Sequence, residues 1–390
     1  MNISRHSLIF GLSYAIDIAV KEHSRSHSKN TAYLSFMLGK EIGLDENDLL
    51  ELYYSALLHD IGLGAYYDME RHCIVGADIL RKLPLPEAVV RNVYCHHELL
   101  DGTGPLGLKG DDIPLCAMII CLSSTFDDEF DRYACTFDYD IFSNIKSWLN
   151  GMRLRLRPEI VAAFENLIRH EYVLLEYFNQ ETRHTMSQRL VIDDPVCYNY
   201  DDVLKYAMCF ADMIDQRSPF TYTHSRGIAR LARKAARHLG YDDKTQNKMY
   251  IAGMLHDIGK LHTPIEILHK ESKLMPEERF EMNKHTYFTR KILEQIQGFD
   301  DIANYAANHH EKIDGTGYPN RIPGERLSEL ERVMAICDVY QALTEVRPYR
   351  NKMSAQKAHG IISSMASNGH LDRNLVETVL PVFADTTNPI

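Results

Sequence analysis

The sequence predicts an all-α protein made of two tandem copies of one helical domain. Three observations carry that reading. Apolar residues recur three and four apart through long stretches such as 228–240 and 159–178, the spacing of a helix that buries one face. Runs of alternating β-branched residues are scarce. His27 and His59 lie 32 residues apart, as do His224 and His256, and the 25-residue interval from His72 to His97 returns between His285 and His310. Self-similarity of that kind is the mark of a repeated unit.

The chain's 390 residues leave room for two domains with sizeable cores. Charged residues make up 25% and hydrophobic ones 45%, as in a soluble globular protein. The net charge of −11 argues against a general nucleic-acid surface, so DNA is not an expected partner. An anionic ligand would have to be held by local cations or metals. The eight cysteines show no CxxC spacing, which points to free thiols and a reducing, cytoplasmic location. No apolar run approaches the ~20 residues of a membrane span, so no membrane partner is expected.

Taken in order, residues 8–20 are apolar enough to suggest the core of a signal peptide. Asp17 interrupts them, no small-residue cleavage site follows, and 203–214 repeats the pattern, so a plain helix is expected. The first copy occupies 1–180. Its His-Asp pair is His59-Asp60 and its His-His pair is His96-His97. A polar stretch containing Pro195 breaks the helical period and sets a linker at 181–200. The second copy fills 201–390. His59 and His72 are 13 residues apart where His256 and His285 are 29 apart, so about 16 residues are expected to be missing from a loop of the first copy.

The second copy concentrates metal-binding chemistry. His256-Asp257 ends an apolar helix, His309-His310 repeats the adjacency, Asp338 is a lone carboxylate in an apolar helix, and His224 and His285 complete the set. Imidazole nitrogens and carboxylate oxygens suit first-row divalent ions. The set exceeds the three protein ligands usual for one catalytic zinc. It suits two ions about 3.5–4 Å apart, one carboxylate bridging them, able to activate a water and clamp a phosphoryl group. His238, His262, His269 and His370 stand outside that pattern and are read as ordinary surface or core residues.

Residues 201–385 resemble the HD-GYP subgroup of HD-superfamily phosphohydrolases. The resemblance runs through HDIGK at 256–260, HHEKIDGTGYP at 309–319, the helix around Asp338 and RPYR at 347–350. It implies an all-helical HD fold and hydrolysis of a bacterial cyclic dinucleotide. It implies two iron or manganese ions on His224, His256, Asp257, His285, His309, His310 and Asp338, with Asp257 the bridge. It makes Asp257 and Lys260 the catalytic pair. Lys260, Arg347, Arg350 and Tyr318 become substrate-binding residues, Lys260 near the scissile phosphate and the guanidiniums offering forked donors to phosphate or guanine. Attack by a hydroxide shared between the ions would open the ring to a linear 5′-phosphorylated dinucleotide. Phe220 stands where some relatives carry a glutamate for a third ion, so two are expected. Gly315, Gly317 and Pro319 are expected to shape the GYP turn.

The first copy is degenerate. Leu63 replaces the lysine, the turn ends Gly104-Pro105 without a tyrosine, Ser124 aligns with Asp338, and Asp131-Arg132-Tyr133-Ala134 stands in place of RPYR. The expected role is catalytically inactive, regulatory or dimerising, as in a homodimer. The tandem layout is similar to that of 3′3′-cGAMP-specific phosphodiesterases, which favours 3′3′-cGAMP over cyclic di-GMP. A signalling scaffold that binds partner proteins through the GYP turn is the reading from another class, and a mononucleotide phosphohydrolase is a third.

Overall fold

The computed structural model describes residues 1–20, 26–65, 71–130, 140–179, 194–217, 224–345 and 353–384. The described residues are helical almost throughout, as expected, and their one sheet pairs Ile3 with Tyr198 and Ser4 with Cys197, antiparallel. None of their helices is long and apolar enough to cross a membrane. Arg347, Tyr349, Arg350, Phe220 and the 131–134 segment lie outside the described residues.

The chain divides into two compact units. One is Leu12–Val196; the other joins Met1–Gly11 to Cys197–Ile390. A sequence division at 1–180, 181–200 and 201–390 leaves out this exchange of the first eleven residues. They are tied to the later unit by the strand pair, by the Ser7 hydroxyl, which accepts from the Gln297 amide at 2.5 Å, and by Gly11, whose bare Cα admits Ile296. Of the expected linker, 194–200 is described, and it already contains the strand Cys197–Tyr198 and the first residue of the next helix.

Each unit packs the same trio of helices. In the earlier one, His27–Ile42 lies against Glu46–Leu58 and Leu115–Phe130; in the later one, His224–His238 lies against Asp243–Leu255 and Glu329–Thr344. Local signals start these helices. Asp45 and Asp242 cap theirs by accepting the amides of Asp48 and Thr245, both at 2.9 Å, and Ser328 with Glu331 forms a capping box ahead of the helix that bears Asp338. The buried faces are apolar: Ile228, Ala232, Ile251, Leu255 and Ile336 are all sealed from solvent.

The length difference between the copies is more than a loop. The later unit adds the short helix Ile265–Leu268 and then the first turns of Pro276–Leu293, so His285 sits mid-helix while His72 opens the helix His72–Leu80. Glu278 secures the added start by accepting the Met275 amide at 2.7 Å and pairing with Lys270.

Candidate metal centre

Five elements of the later unit deliver the cluster. His224 opens its helix, His256 and Asp257 follow Asp243–Leu255, His285 lies in Pro276–Leu293, His309 and His310 follow Asp300–Ala307, and Asp338 lies within Glu329–Thr344. Adjacent residues of a continuing helix would diverge by about 100°. Asp257 escapes this because its backbone leaves the helix, at φ −102 and ψ 8, so that it faces the same centre as His256. Gly259 then lets the chain pass the next helix: a Cβ there would lie 1.9 Å from the His285 carbonyl oxygen. Its amide donates to the Thr289 hydroxyl at 3.0 Å, and that hydroxyl donates to the His256 carbonyl at 3.0 Å, which ties the His-Asp corner to the His285 helix.

The two Asp257 oxygens face different ligands. Oδ2 is 3.1 Å from His256 Nε2 and accepts from Lys260 Nζ at 2.5 Å, while Oδ1 lies 3.4 Å from His285 Nε2 and 4.0 Å from His309 Nε2. Asp338 reaches His224 Nε2 at 3.5 Å and His310 Nδ1 at 3.9 Å. All seven side chains expected from the sequence are therefore brought together. Lys260 joins them, and the Tyr318 ring packs 4.8 Å from that of His310.

The protonation pattern fits a cation. His256, His285 and His309 each use Nδ1 against a backbone carbonyl, of Gly253 at 2.8 Å, Met282 at 2.7 Å and Ala306 at 2.6 Å. A neutral imidazole that donates from Nδ1 presents a bare lone pair at Nε2. His256 Nε2 is buried without a hydrogen-bond partner, and the Nε2 atoms of His285 and His309 face each other at 3.4 Å. Lone pairs turned on one another and on a carboxylate are costly without an electrophile between them. Burial pushes His285 down to about 3 and holds His309 well below the usual range. Burial works to raise Asp257, but the charged groups around it, Lys260 among them, outweigh that and hold the carboxyl far below its ordinary value. His224 is opposite: burial would lower it, yet bonds to Asp338 and to Glu345 raise it to about 9.

Sequence reasoning missed three supporting residues. Glu345 Oε2 lies 3.0 Å from His224 Nδ1 and orients that ring. Thr289 forms the bridge described above. Glu311 is buried, and its two oxygens accept the amides of Asn320 at 2.8 Å and Ile322 at 3.0 Å, clamping the turn that carries Tyr318. Glu311 was findable, since Glu98 follows the His pair of the first copy. Gly315 has the expected positive φ, 71°, whereas Gly317 serves by close approach, a Cβ there falling 2.5 Å from the Glu311 Cα. Tyr318-Pro319 is a cis peptide.

Residues 208–375 match the HD domain family, and so do residues 25–127. The chain carries two HD domains. It is 26% identical to 3′3′-cGAMP-specific phosphodiesterase 1 of Vibrio cholerae over 97% of this chain and 92% of that one. It is 39% identical to the cyclic di-GMP phosphodiesterase PA4108 of Pseudomonas aeruginosa, over 39% of this chain and 37% of that one. The solved structure of a cyclic GMP-AMP-specific phosphodiesterase of V. cholerae superposes with a TM-score of 0.73 at 22% identity, covering 100% of this chain and 99% of the other, and shows the same fold.

The first HD domain keeps a cluster of its own. Asp60 lies 3.3 Å from His59 Nε2, 3.6 Å from His27 Nε2 and 3.4 Å from His72 Nε2. Ser124 Oγ stands 3.3 Å from His27 Nε2, the place Asp338 takes beside His224, so the sequence alignment of these two residues holds in space. Asp127 meets His27 Nδ1 at 2.8 Å and does there what Glu345 does in the second domain. That bond and the charge of Asp127, with a smaller contribution from the neighbouring Asp60 carboxylate, raise His27 to about 10 against the effect of burial.

Proposed function

We propose that the second HD domain is a metal-dependent phosphodiesterase that opens a bacterial cyclic dinucleotide, 3′3′-cGAMP in first place. The observation that carries this is the set of bare, buried imidazole nitrogens grouped around a two-faced Asp257, with an ammonium beside it. His224, His256, Asp257 and Asp338 would hold one ion; Asp257, His285, His309 and His310 would hold a second. Iron and manganese suit this mixture of imidazole and carboxylate. When bound, such ions supply positive charge to the phosphodiester and make water more acidic.

The chain's own groups supply the rest. The Lys260 side chain is about one-fifth exposed and its Nζ meets Asp257 at the cluster, so it can pass from Asp257 to a non-bridging phosphoryl oxygen. Tyr318 is half-buried and flanks His310 and His285, where its ring offers a face to a base. Arg347 and Arg350 are proposed to hold the nucleotide, an assignment resting on their motif. Water adds to phosphorus, the 3′ oxygen leaves with a proton, and a linear dinucleotide with a 5′-phosphate results.

The choice of 3′3′-cGAMP is supported by the V. cholerae relative that matches along both HD domains. Cyclic di-GMP is the second reading, because a relative of that activity has higher identity over the 39% of this chain that it matches. The first HD domain is proposed to be inactive and regulatory or dimerising, since it lacks Lys260 and Asp338 equivalents. A pocket of about 700 Å³ beside the GYP turn, lined by Tyr318, Phe280, Tyr287 and Arg321, supports a role for that turn in docking signalling partners. The cysteines show no CxxC spacing, which supports a reducing, cytoplasmic location.

Purified protein with Mn²⁺ or Fe²⁺ should convert 3′3′-cGAMP to its linear form faster than cyclic di-GMP and leave nucleoside triphosphates intact. Asp257→Ala should abolish turnover while the chain stays folded. Cleavage of triphosphates alone, or wild-type turnover in that variant, refutes the reading; no cleavage of any substrate favours the scaffold.

A further inference from the structure

We propose that the first HD domain holds one transition-metal ion of its own, between Asp60, His72, His96 and His97, in a site that does not hydrolyse substrate. The spacing carries the proposal. His72 Nε2 lies 3.1 Å from His96 Nε2, 3.1 Å from His97 Nε2 and 3.4 Å from Asp60 Oδ1. Ligands about 2.1 Å from one ion lie about 3.0 Å apart at right angles and about 3.4 Å apart at tetrahedral angles. The corresponding gaps in the second domain are 3.4 Å between His285 and His309 and 3.4 Å between His285 and Asp257, so the first cluster matches the second at the carboxylate and is tighter between the imidazoles.

The chemistry agrees with the spacing. His72 and His96 are wholly buried and Asp60 nearly so. His96 commits Nδ1 to the Val93 carbonyl at 2.6 Å, as His309 does to Ala306, which leaves Nε2 facing the cluster as an acceptor. The backbone fixes the geometry: a Cβ on Gly62 would lie 2.1 Å from the His72 carbonyl oxygen, so the His-Asp corner is locked to the His72 helix. Three imidazoles and one carboxylate are a donor set for a first-row divalent ion such as Mn²⁺, Fe²⁺ or Zn²⁺. The Cys73 sulfur lies within reach of the same three imidazoles.

The neighbouring position is broken. Ser124 offers a hydroxyl where the second domain offers Asp338, and the Asp127 carboxylate is taken by His27, Asn30 and Tyr177. With Leu63 in place of the lysine, the remaining ion has no partner ion and no ammonium. Its effect is to pin three segments together: the corner after Glu46–Leu58, the start of His72–Leu80 and the end of Glu87–Cys95.

Crystals of the full chain grown in excess Mn²⁺ test this without any substitution. An anomalous-scattering peak enclosed by Asp60, His72, His96 and His97 is expected; its absence overturns the proposal, whatever the second domain contains, and would leave a purely hydrogen-bonded imidazole cluster. A peak there beside an empty second domain would instead refute the proposed phosphodiesterase. In solution, His97→Ala, which alters the least buried ligand, should lower the bound metal by about one ion per chain. Its chelator-treated form should unfold at the wild-type chelator-treated temperature, showing that a ligand and not the fold was lost. Unchanged metal content in that variant also overturns the proposal.

Discussion

Gly259→Ala tests whether the cluster depends on one close backbone approach. The added Cβ would fall 1.9 Å from the His285 carbonyl oxygen and 2.5 Å from the Thr289 amide nitrogen, both backbone atoms that cannot swing aside. Contact at van der Waals distance requires the helix Pro276–Leu293 to retreat by about 1.5 Å. Overpacking of this kind costs about 1–3 kcal/mol, and a backbone obstacle puts it at the upper end. At about 2–4 °C per kcal/mol for a domain of this size, the metal-free unfolding midpoint should fall by about 6–12 °C. The retreat also carries His285 off its 3.4 Å station beside Asp257, well beyond the ~0.2 Å tolerance of a metal site, so bound metal should fall with stability. Gly360→Ala is the control. Gly360 is an exposed helical residue with nothing within 4 Å of a built Cβ, and alanine there should stabilise by about 0.5–1 kcal/mol. Calorimetry and elemental analysis on both variants give the readout. A Gly259→Ala chain that melts with the wild type and keeps its metal would refute the close-approach argument.

Three further outcomes are expected. Lys260→Ala should keep the metal and lose turnover by about 10²-fold or more, and a variant within twofold of wild type would remove Lys260 from the mechanism. Glu311→Gln leaves one backbone amide of the GYP turn facing another donor, which should cost about 2–3 kcal/mol and raise KM through Tyr318; an unaltered KM would separate that ring from substrate. Chelator-treated protein should lose stability in acid. His285, near 3 when folded and about 6.5 when unfolded, takes its proton first in the unfolded state, so stability falls as pH drops from about 6.5 towards 3, at about 1.4 kcal/mol per pH unit. His97, lowered to about 4 chiefly by burial, acts in the same sense, and a melting temperature flat from pH 7 to 4 would contradict both.

The ligands were legible because each belongs to a dense local pattern. Adjacent His-Asp and His-His pairs at repeated intervals point to one centre, and the structure gathers all seven. Glu345 was not legible: its counterpart is Asp127, which sits three residues beyond Ser124, whereas Glu345 sits seven beyond Asp338, so no fixed offset marks the role. The exchange of residues 1–11 escaped for another reason. Ile3 and Ser4 pair with a strand almost two hundred positions away, and two residues of strand leave no periodicity to read. The extra residues before His285 could be counted, but their helical form depends on the start at Pro276 and Glu278, a capping signal that the count ignores.

The two HD domains separate what builds the frame from what does the chemistry. Gly62 and Gly259 make the same close approach, and Glu98 and Glu311 make the same double clamp, Glu98 accepting the amides of Leu106 and Leu108 at 2.7 Å each. Both devices satisfy backbone that would otherwise clash or lie buried unpaired, so a domain cannot drop them and still fold. Lys260 and Asp338 satisfy nothing of that kind. Their counterparts, Leu63 and Ser124, are both buried without disturbing the helices that bear them. A domain that keeps its frame and loses these two groups remains a folded HD domain with three imidazoles and a carboxylate still converging. Ser124→Asp is therefore expected to rebuild the second ion position without the lysine, raising metal content by about one ion per chain while hydrolysis by the first domain stays absent. Unaltered metal content in a folded Ser124→Asp chain would mean that the His27–Asp127 bond, and not the missing carboxylate, is what closes that position.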